Sequence, residues 1–187
     1  MAKVYFTSDT HFGHERILTV GKGRPFKTIE EHDKEIVHRW NETVEPDSTV
    51  YILGDIFFKS YDENTRERIL QSLHGSKYII LGNHDKKNDF TEMLNKGIIK
   101  GVYDYLEKDL KTSNGKTIFC VMCHYPILEF NHAYRDNSVM LYGHVHETGE
   151  KYKKIYEDIG FRAFHIGVDT NDFSPISLDE IWKKVNG

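Results

Sequence analysis

Short apolar runs dictate what this chain can fold into. They span Val4 to Thr7, Val50 to Leu53, Tyr78 to Leu81, Ile118 to Cys123, Val139 to Tyr142 and Phe164 to Val168. Each is too short for a core helix and has the length of a buried strand. Helical patterns separate the first three. Thr28 and Glu31 spell a capping box ahead of an apolar face of Ile29, Ile36, Val37, Trp40 and Val44, closed by Pro46. A second predicted helix starts at Asn64, with Glu67 three residues on, and carries Ile69, Leu70 and Leu73 toward Gly75. A third starts near Asn88 and carries Phe90, Met93 and Leu94 to Gly97. Strand alternating with helix predicts parallel βαβ units with right-handed crossovers.

The second half reads differently. Asn114-Gly115 is a hairpin signal between Tyr103 to Lys111 and Lys116 to Met122, and strands dominate from there. The run Lys151-Tyr152-Lys153-Lys154 reads as a solvated strand or loop. A closing helix has Ser177 and Glu180 as its capping box and Leu178, Ile181, Trp182 and Val185 as its apolar stripe. The expected fold class is α/β, with two sheets packed face to face and helices outside. At 187 residues the expectation is one domain over residues 1–187.

Composition narrows the function classes. Hydrophobic residues at 39%, 13% of the chain being aromatic, exclude a disordered chain, and no apolar stretch approaches the ~20 residues that span a bilayer. Lys plus Arg 25 against Asp plus Glu 29 gives a net charge of −4, so no strong nucleic-acid footprint is expected, and with no long apolar stretch no membrane partner is expected either. The N-terminus shows no apolar signal region, so a cytoplasmic location is expected. Cys120 and Cys123 are three apart on a strand, face opposite sides and read as buried, inert thiols. The sequence sets no oligomeric state.

The ends of the runs carry the chemistry. The first leads into Asp9-Thr10-His11, the second into Gly54-Asp55, the third into Gly82-Asn83-His84-Asp85, the fourth into His124 and the fifth into Gly143-His144-Val145-His146. In α/β sheets, ligands bind at the carboxyl ends of strands. Asp9 and His11 are two apart, as are His144 and His146, so each pair projects to one side of an extended stretch. Mixed imidazole and carboxylate oxygen suits Mn²⁺, Fe, Co²⁺, Ni²⁺ or Zn²⁺ rather than Ca²⁺, and the ligand count fits two divalent transition-metal ions per chain. His32, His38 and His74 fall on helical patterns and read as surface residues, and His165 reads as a core or rim histidine.

This ordered set of motifs resembles the calcineurin-like metallophosphoesterase superfamily, from Asp9 to His146, at a length similar to its small stand-alone bacterial and phage phosphoesterases. The resemblance implies a four-layer α-β-β-α sandwich of two mixed sheets around a dinuclear centre, with Mn²⁺ first among the candidate ions. It also implies a ligand set. One ion takes Asp9, His11 and His146, the other takes Asn83, His124 and His144, and Asp55 bridges them. His84 is then the histidine that contacts the phosphoryl group, as donor or general acid. Two ions roughly 3.5–4 Å apart can hold a bridging hydroxide and bind phosphate oxygens for in-line attack.

Departures from the family's patterns bear on substrate. The superfamily's protein phosphatases carry G-D-x-x-D-R-G, whereas this chain reads Gly54-Asp55-Ile56-Phe57-Phe58-Lys59-Ser60. That disfavours a phosphoprotein. The superfamily's DNA-repair nucleases carry extra domains for which this chain has no room. The expectation is a small phosphate ester, a phosphodiester of nucleotide type before a phosphomonoester, with His14 and Arg24 in the loop after the first motif as substrate-binding residues. Asp85 is expected to orient a neighbour of the ions, to serve as a cap or to lie exposed at the surface. The competing class is a non-catalytic scaffold of the same fold, which predicts lost ligands; none of the seven is lost.

Overall fold

Alternation along the strands decides the layering. The computed structural model describes residues 2–186. Its first sheet holds β1 (Val4–Thr7), β2 (Thr49–Leu53), β3 (Ser76–Ile80), β4 (Ile99–Tyr103) and β9 (Ile176–Ser177) in the order β4-β3-β2-β1-β9. Strands β1 to β4 are parallel and β9 runs antiparallel to β1. The second sheet holds β5 (Leu106–Lys111), β6 (Thr117–Met122), β7 (Ser138–Tyr142) and β8 (Ala163–His165) in sequence order, antiparallel between β5 and β6 and parallel after that.

Successive side chains on a strand face opposite ways, and the buried clusters follow that period. Phe6, Tyr51, Leu53 and Ile80 from the first sheet meet Ile118, Cys120, Met122, Val139 and Leu141 from the second. Their neighbours Tyr5, Val50, Ile52 and Ile79 turn outward to Ile36, Trp40 and Val44 of helix α1 (Ile29–Thr43) and its end, and to Leu70 of α2 (Glu63–Ser72) and Met93 of α3 (Thr91–Asn95). On the far side Val121, Met140 and Tyr142 pack on Tyr156 of α4 (Gly149–Asp158). Three apolar layers between four layers of structure make the α-β-β-α sandwich. Each side chain fully buried there contributes roughly 1.5–3 kcal/mol.

Local signals set most boundaries. Thr28 caps α1 by accepting the Glu31 N–H, and Ser177 and Glu180 form a reciprocal capping box at α5 (Leu178–Lys184). Helix α2 is capped two residues earlier than expected, by Asp62, whose carboxylate accepts the Thr65 N–H at 2.8 Å. The expected third helix begins as a 3-10 turn over Lys87–Phe90 before α3. The stretch expected as one strand from Tyr103 is split, because the chain leaves the first sheet at Tyr103 and enters the second at Leu106. The β5–β6 hairpin turns over residues 112–116, with Gly115 at φ 85°.

Two expectations are corrected. Lys151 to Lys154 lie inside helix α4, because Tyr152, Ile155, Tyr156 and Ile159 recur at helical spacing and the lysines fill the solvent face. His32 is not a surface residue but is fully buried on α1. Cys120 and Cys123 are free and lie in different clusters, one between the sheets and the other outside them. Among the described residues no helix is long and apolar enough to cross a membrane.

Candidate metal centre

Five strand ends converge at one edge of the sandwich. The loops after β1 and β2 continue the strands' pairing, the N–H groups of Asp9 and His11 donating to the carbonyls of Gly54 and Asp55 at 2.9 and 3.0 Å. The second sheet joins through Gly143, whose N–H donates to His124 O at 2.9 Å. Backbone strain marks the same place. Asp9, His11, Asp55, His144 and His146 all lie at positive φ, between 42° and 69°. Left-handed backbone costs roughly 1–2 kcal/mol per non-glycine residue, so the surrounding hydrogen bonds hold it. Two glycines let the loops close. Gly54, at φ 85°, would place a Cβ 2.5 Å from Gly82 N, and a Cβ on Gly143 would collide with the Ser8 hydroxyl.

Two clusters result, Asp9 with His11 and His146, and Asp55 with His124 and His144; within each, the ligand atoms lie within 4.8 Å of one another. His11 Nε2 stands 4.0 Å from Asp9 Oδ1 and 3.9 Å from Asp55 Oδ2. His146 Nε2 is 3.9 Å from Asp9 Oδ1, and His124 Nε2 is 3.5 Å from Asp55 Oδ2. These gaps are too long for hydrogen bonds. They suit ligand atoms sharing an ion at about 2.0–2.2 Å from each. His11 Nε2 is buried and has no hydrogen-bond partner. Burial, with Arg24 nearby, pushes the His11 pKa well down, so the ring is neutral and has a lone pair to offer a cation. Asp55 Oδ2 faces members of both clusters. Burial alone would raise the Asp55 carboxyl, but His124 and the His84 N–H bring it down to about 2. Asn83 Oδ1 lies 3.1 Å from His124 Nε2 and so joins the second cluster.

Behind the two clusters stands a layer of braces. His124 Nδ1 donates to Leu53 O at 2.7 Å, which aims Nε2 at the cluster. His146 Nδ1 meets Asp169 Oδ2 at 2.7 Å. Burial disfavours the Asp169 charge, yet His146 and Arg24 hold its carboxyl well below the usual range. Asp85 accepts the N–H groups of Asp55, Gly82 and Ile56 at 2.7, 2.9 and 3.3 Å, stapling the β2 and β3 loops together. Burial pushes its carboxyl up to about 6 against those donors.

The remaining expected residues divide. His84 sits at the rim with its ring 40% exposed and Nε2 3.9 Å from Asp55 Oδ2, while its N–H donates to Asp55 Oδ1 at 2.9 Å. His14 stands beside it, its ring stacked on Phe58 with centroids 4.0 Å apart. Arg24 departs from the expectation of a phosphate contact. It is buried beneath the site, and its N–H groups go to Asp169, Asp9 O, Thr10 O and His32. Sequence reasoning missed Asp169 and Tyr125. Asp169 follows the sixth apolar run as the cluster residues follow theirs, which was the available signal. Tyr125, 44% exposed, packs edge-on against His144 with centroids 4.8 Å apart and follows His124 directly in the chain.

Comparison with known proteins agrees with this geometry. The pattern of the calcineurin-like phosphoesterase family matches residues 2–184. The Gene 66 protein of Mycobacterium phage L5 is 28% identical over 210 residues, covering 100% of this chain and 95% of that protein. An uncharacterised protein of Methanocaldococcus jannaschii is 38% identical over 86 residues, 46% of this chain and 48% of that protein, so the match spans about half of that relative. A solved structure of a protein of unknown function from Aquifex aeolicus has a TM-score of 0.73 at 30% identity, covering 99% of this chain and 100% of that one.

Proposed function

The chain belongs to the calcineurin-like phosphoesterase family, and on that premise we propose that it is a dinuclear metal-dependent phosphodiesterase acting on small nucleotide-type esters. The observation that carries the metal-dependent hydrolase is the pair of Asp/His clusters with Asp55 Oδ2 between them. In this reading Asp9, His11 and His146 hold one divalent ion, Asn83, His124 and His144 hold the other, and Asp55 serves both. Mn²⁺ is the first candidate. Two bound ions supply an activated water near neutral pH and charge for the phosphoryl oxygens.

The chain's own residues do the rest. The ring of His84 is partly exposed at the rim, so it donates a hydrogen bond to the phosphoryl group or a proton to the leaving oxygen. Diester preference rests on the walls of the opening. Phe58 stands where the family's protein phosphatases carry the second Asp of their motif, and with His14 it offers an aromatic face on one side. Tyr125 offers one on the other. Such faces suit an ester whose second substituent is a nucleoside, since base stacking contributes about 1–3 kcal/mol per base. A net charge of −4 favours a small substrate over a polymer.

Purified protein stripped with a chelator should lose hydrolysis of an aryl phosphodiester and regain it with Mn²⁺; full activity without metal would refute the metal-dependent reading. Paired aryl monoester and diester substrates, followed by cyclic nucleotides, dinucleotides and short oligonucleotides, test the substrate class. A higher kcat/KM on the monoester would make the protein a phosphomonoesterase instead.

A further inference from the structure

We propose that Asp169, clamped by Arg24, is the positioning residue that sets His146 for its ion; the proposal rests on the two-ion reading above. An imidazole that ligates through Nε2 carries its proton on Nδ1, so the partner of Nδ1 decides both tautomer and ring orientation. For His146 that partner is the carboxylate of Asp169 at 2.7 Å, and Nε2 then faces Asp9 with the ring stacked on His11 at 5.2 Å between centroids.

Asp169 can hold His146 only if it is held itself. Arg24 Nε and Nη2 grip its two oxygens at 2.8 and 3.1 Å, a bidentate fork. The other Arg24 donors reach Asp9 O at 2.7 Å, Thr10 O at 3.0 Å and His32 Nε2 at 2.8 Å, so all five N–H groups are engaged. Behind them His32 Nδ1 meets Asp33 Oδ1 at 2.6 Å, and Asp33 Oδ2 accepts the Gly13 N–H and the Tyr61 hydroxyl at 2.9 and 2.6 Å. One guanidinium therefore ties the strained loop carrying Asp9 and His11 to the carboxylate that aims His146. A single buried group thus links the supports of all three members of that cluster. A lysine would keep the charge and lose the fork.

Calorimetric titration of metal-free protein with Mn²⁺ tests this. Wild type should bind two ions. Asp169→Asn should keep one at wild-type affinity and bind the other about 10–100-fold more weakly, the usual effect of losing a group that orients a metal-binding histidine. Arg24→Lys should show the same one-site loss, and carries the comparison if Asp169→Asn does not fold. Independently of any metal, ¹⁵N NMR should find the His146 proton on Nδ1 in wild type and moved toward Nε2 in Asp169→Asn. Two ions at wild-type affinity in the variants, equal weakening at both sites, or an unchanged tautomer would each overturn the proposal. A wild-type protein that binds fewer than two ions would instead overturn the two-ion reading, while the tautomer comparison would still decide the role of Asp169.

Discussion

The Asp9–His11–His146 cluster and the Asp55–His124–His144 cluster draw on the same side-chain types, yet the chain supports them differently. Asp9 and His11 are buried, and His146 is aimed by an ion pair of Asp169 and Arg24. In the second cluster His144 is exposed and His124 is aimed by a main-chain carbonyl, that of Leu53. A carbonyl at a strand end is as fixed as the sheet that carries it and does not titrate. An ion pair depends on side chains that meet only after folding, and its strength depends on charge. The same ligand chemistry can thus be built robustly from backbone or adjustably from side chains.

The largest effect should come from the group both clusters share. Asp55→Ala should lower metal occupancy at both sites and bring hydrolysis to background, as read by metal analysis and turnover. Loss of a single ion would mean that Asp55 belongs to one cluster alone. His84→Ala should keep both ions and lose turnover by about 10²–10⁴-fold, the range for a general acid. Metal loss equal to that of Asp55→Ala would make His84 a ligand instead.

A pH experiment separates the clusters further. His165 lies beneath the first one, buried, with Nε2 unpartnered, and burial lowers its pKa to about 4. The unfolded chain binds its proton more readily, so the stability it contributes is full above about pH 6.5 and is lost as pH falls toward 4. His165→Gln should flatten the acid limb of metal-free protein by on the order of 2–3 kcal/mol in denaturant titrations at pH 7 and 4.5. An unchanged limb would place the acid sensitivity elsewhere.

The smallest effect marks where the ionic brace ends. Arg39 bonds Asp172 O and Oδ1, each at 2.8 Å, at the exposed turn after Asp169. Arg39→Ala should cost less than about 1 kcal/mol and leave Mn²⁺ affinity unchanged. A weakened ion would extend the brace to the surface.

Legibility in the sequence followed the range of each interaction. Thr28, Ser177 and Glu180 act within four residues, so their caps were readable, as were the strands that alternate between two buried faces. Tyr152 and Tyr156 were equally local, and helix α4 was missed because the lysines between them outweighed the spacing. Arg24 and Asp169 lie 145 positions apart, and nothing near Arg24 announces that its guanidinium turns inward. A buried His32 on a polar helix start was hidden for the same reason, since its burial depends on Arg24 and Asp33 meeting it.

By itself the sequence determined the sandwich and the strand ends that carry the Asp, Asn and His residues of the two clusters, because hydrophobic period and chain connectivity are local properties of the chain. The tertiary structure alone decided that Asp85 staples two loops, that Arg24 turns its donors inward and that Asp169 meets His146. Those outcomes depend on which distant donors and acceptors are left to satisfy one another once the sheets have closed, and a buried polar group takes the partner that packing brings to it.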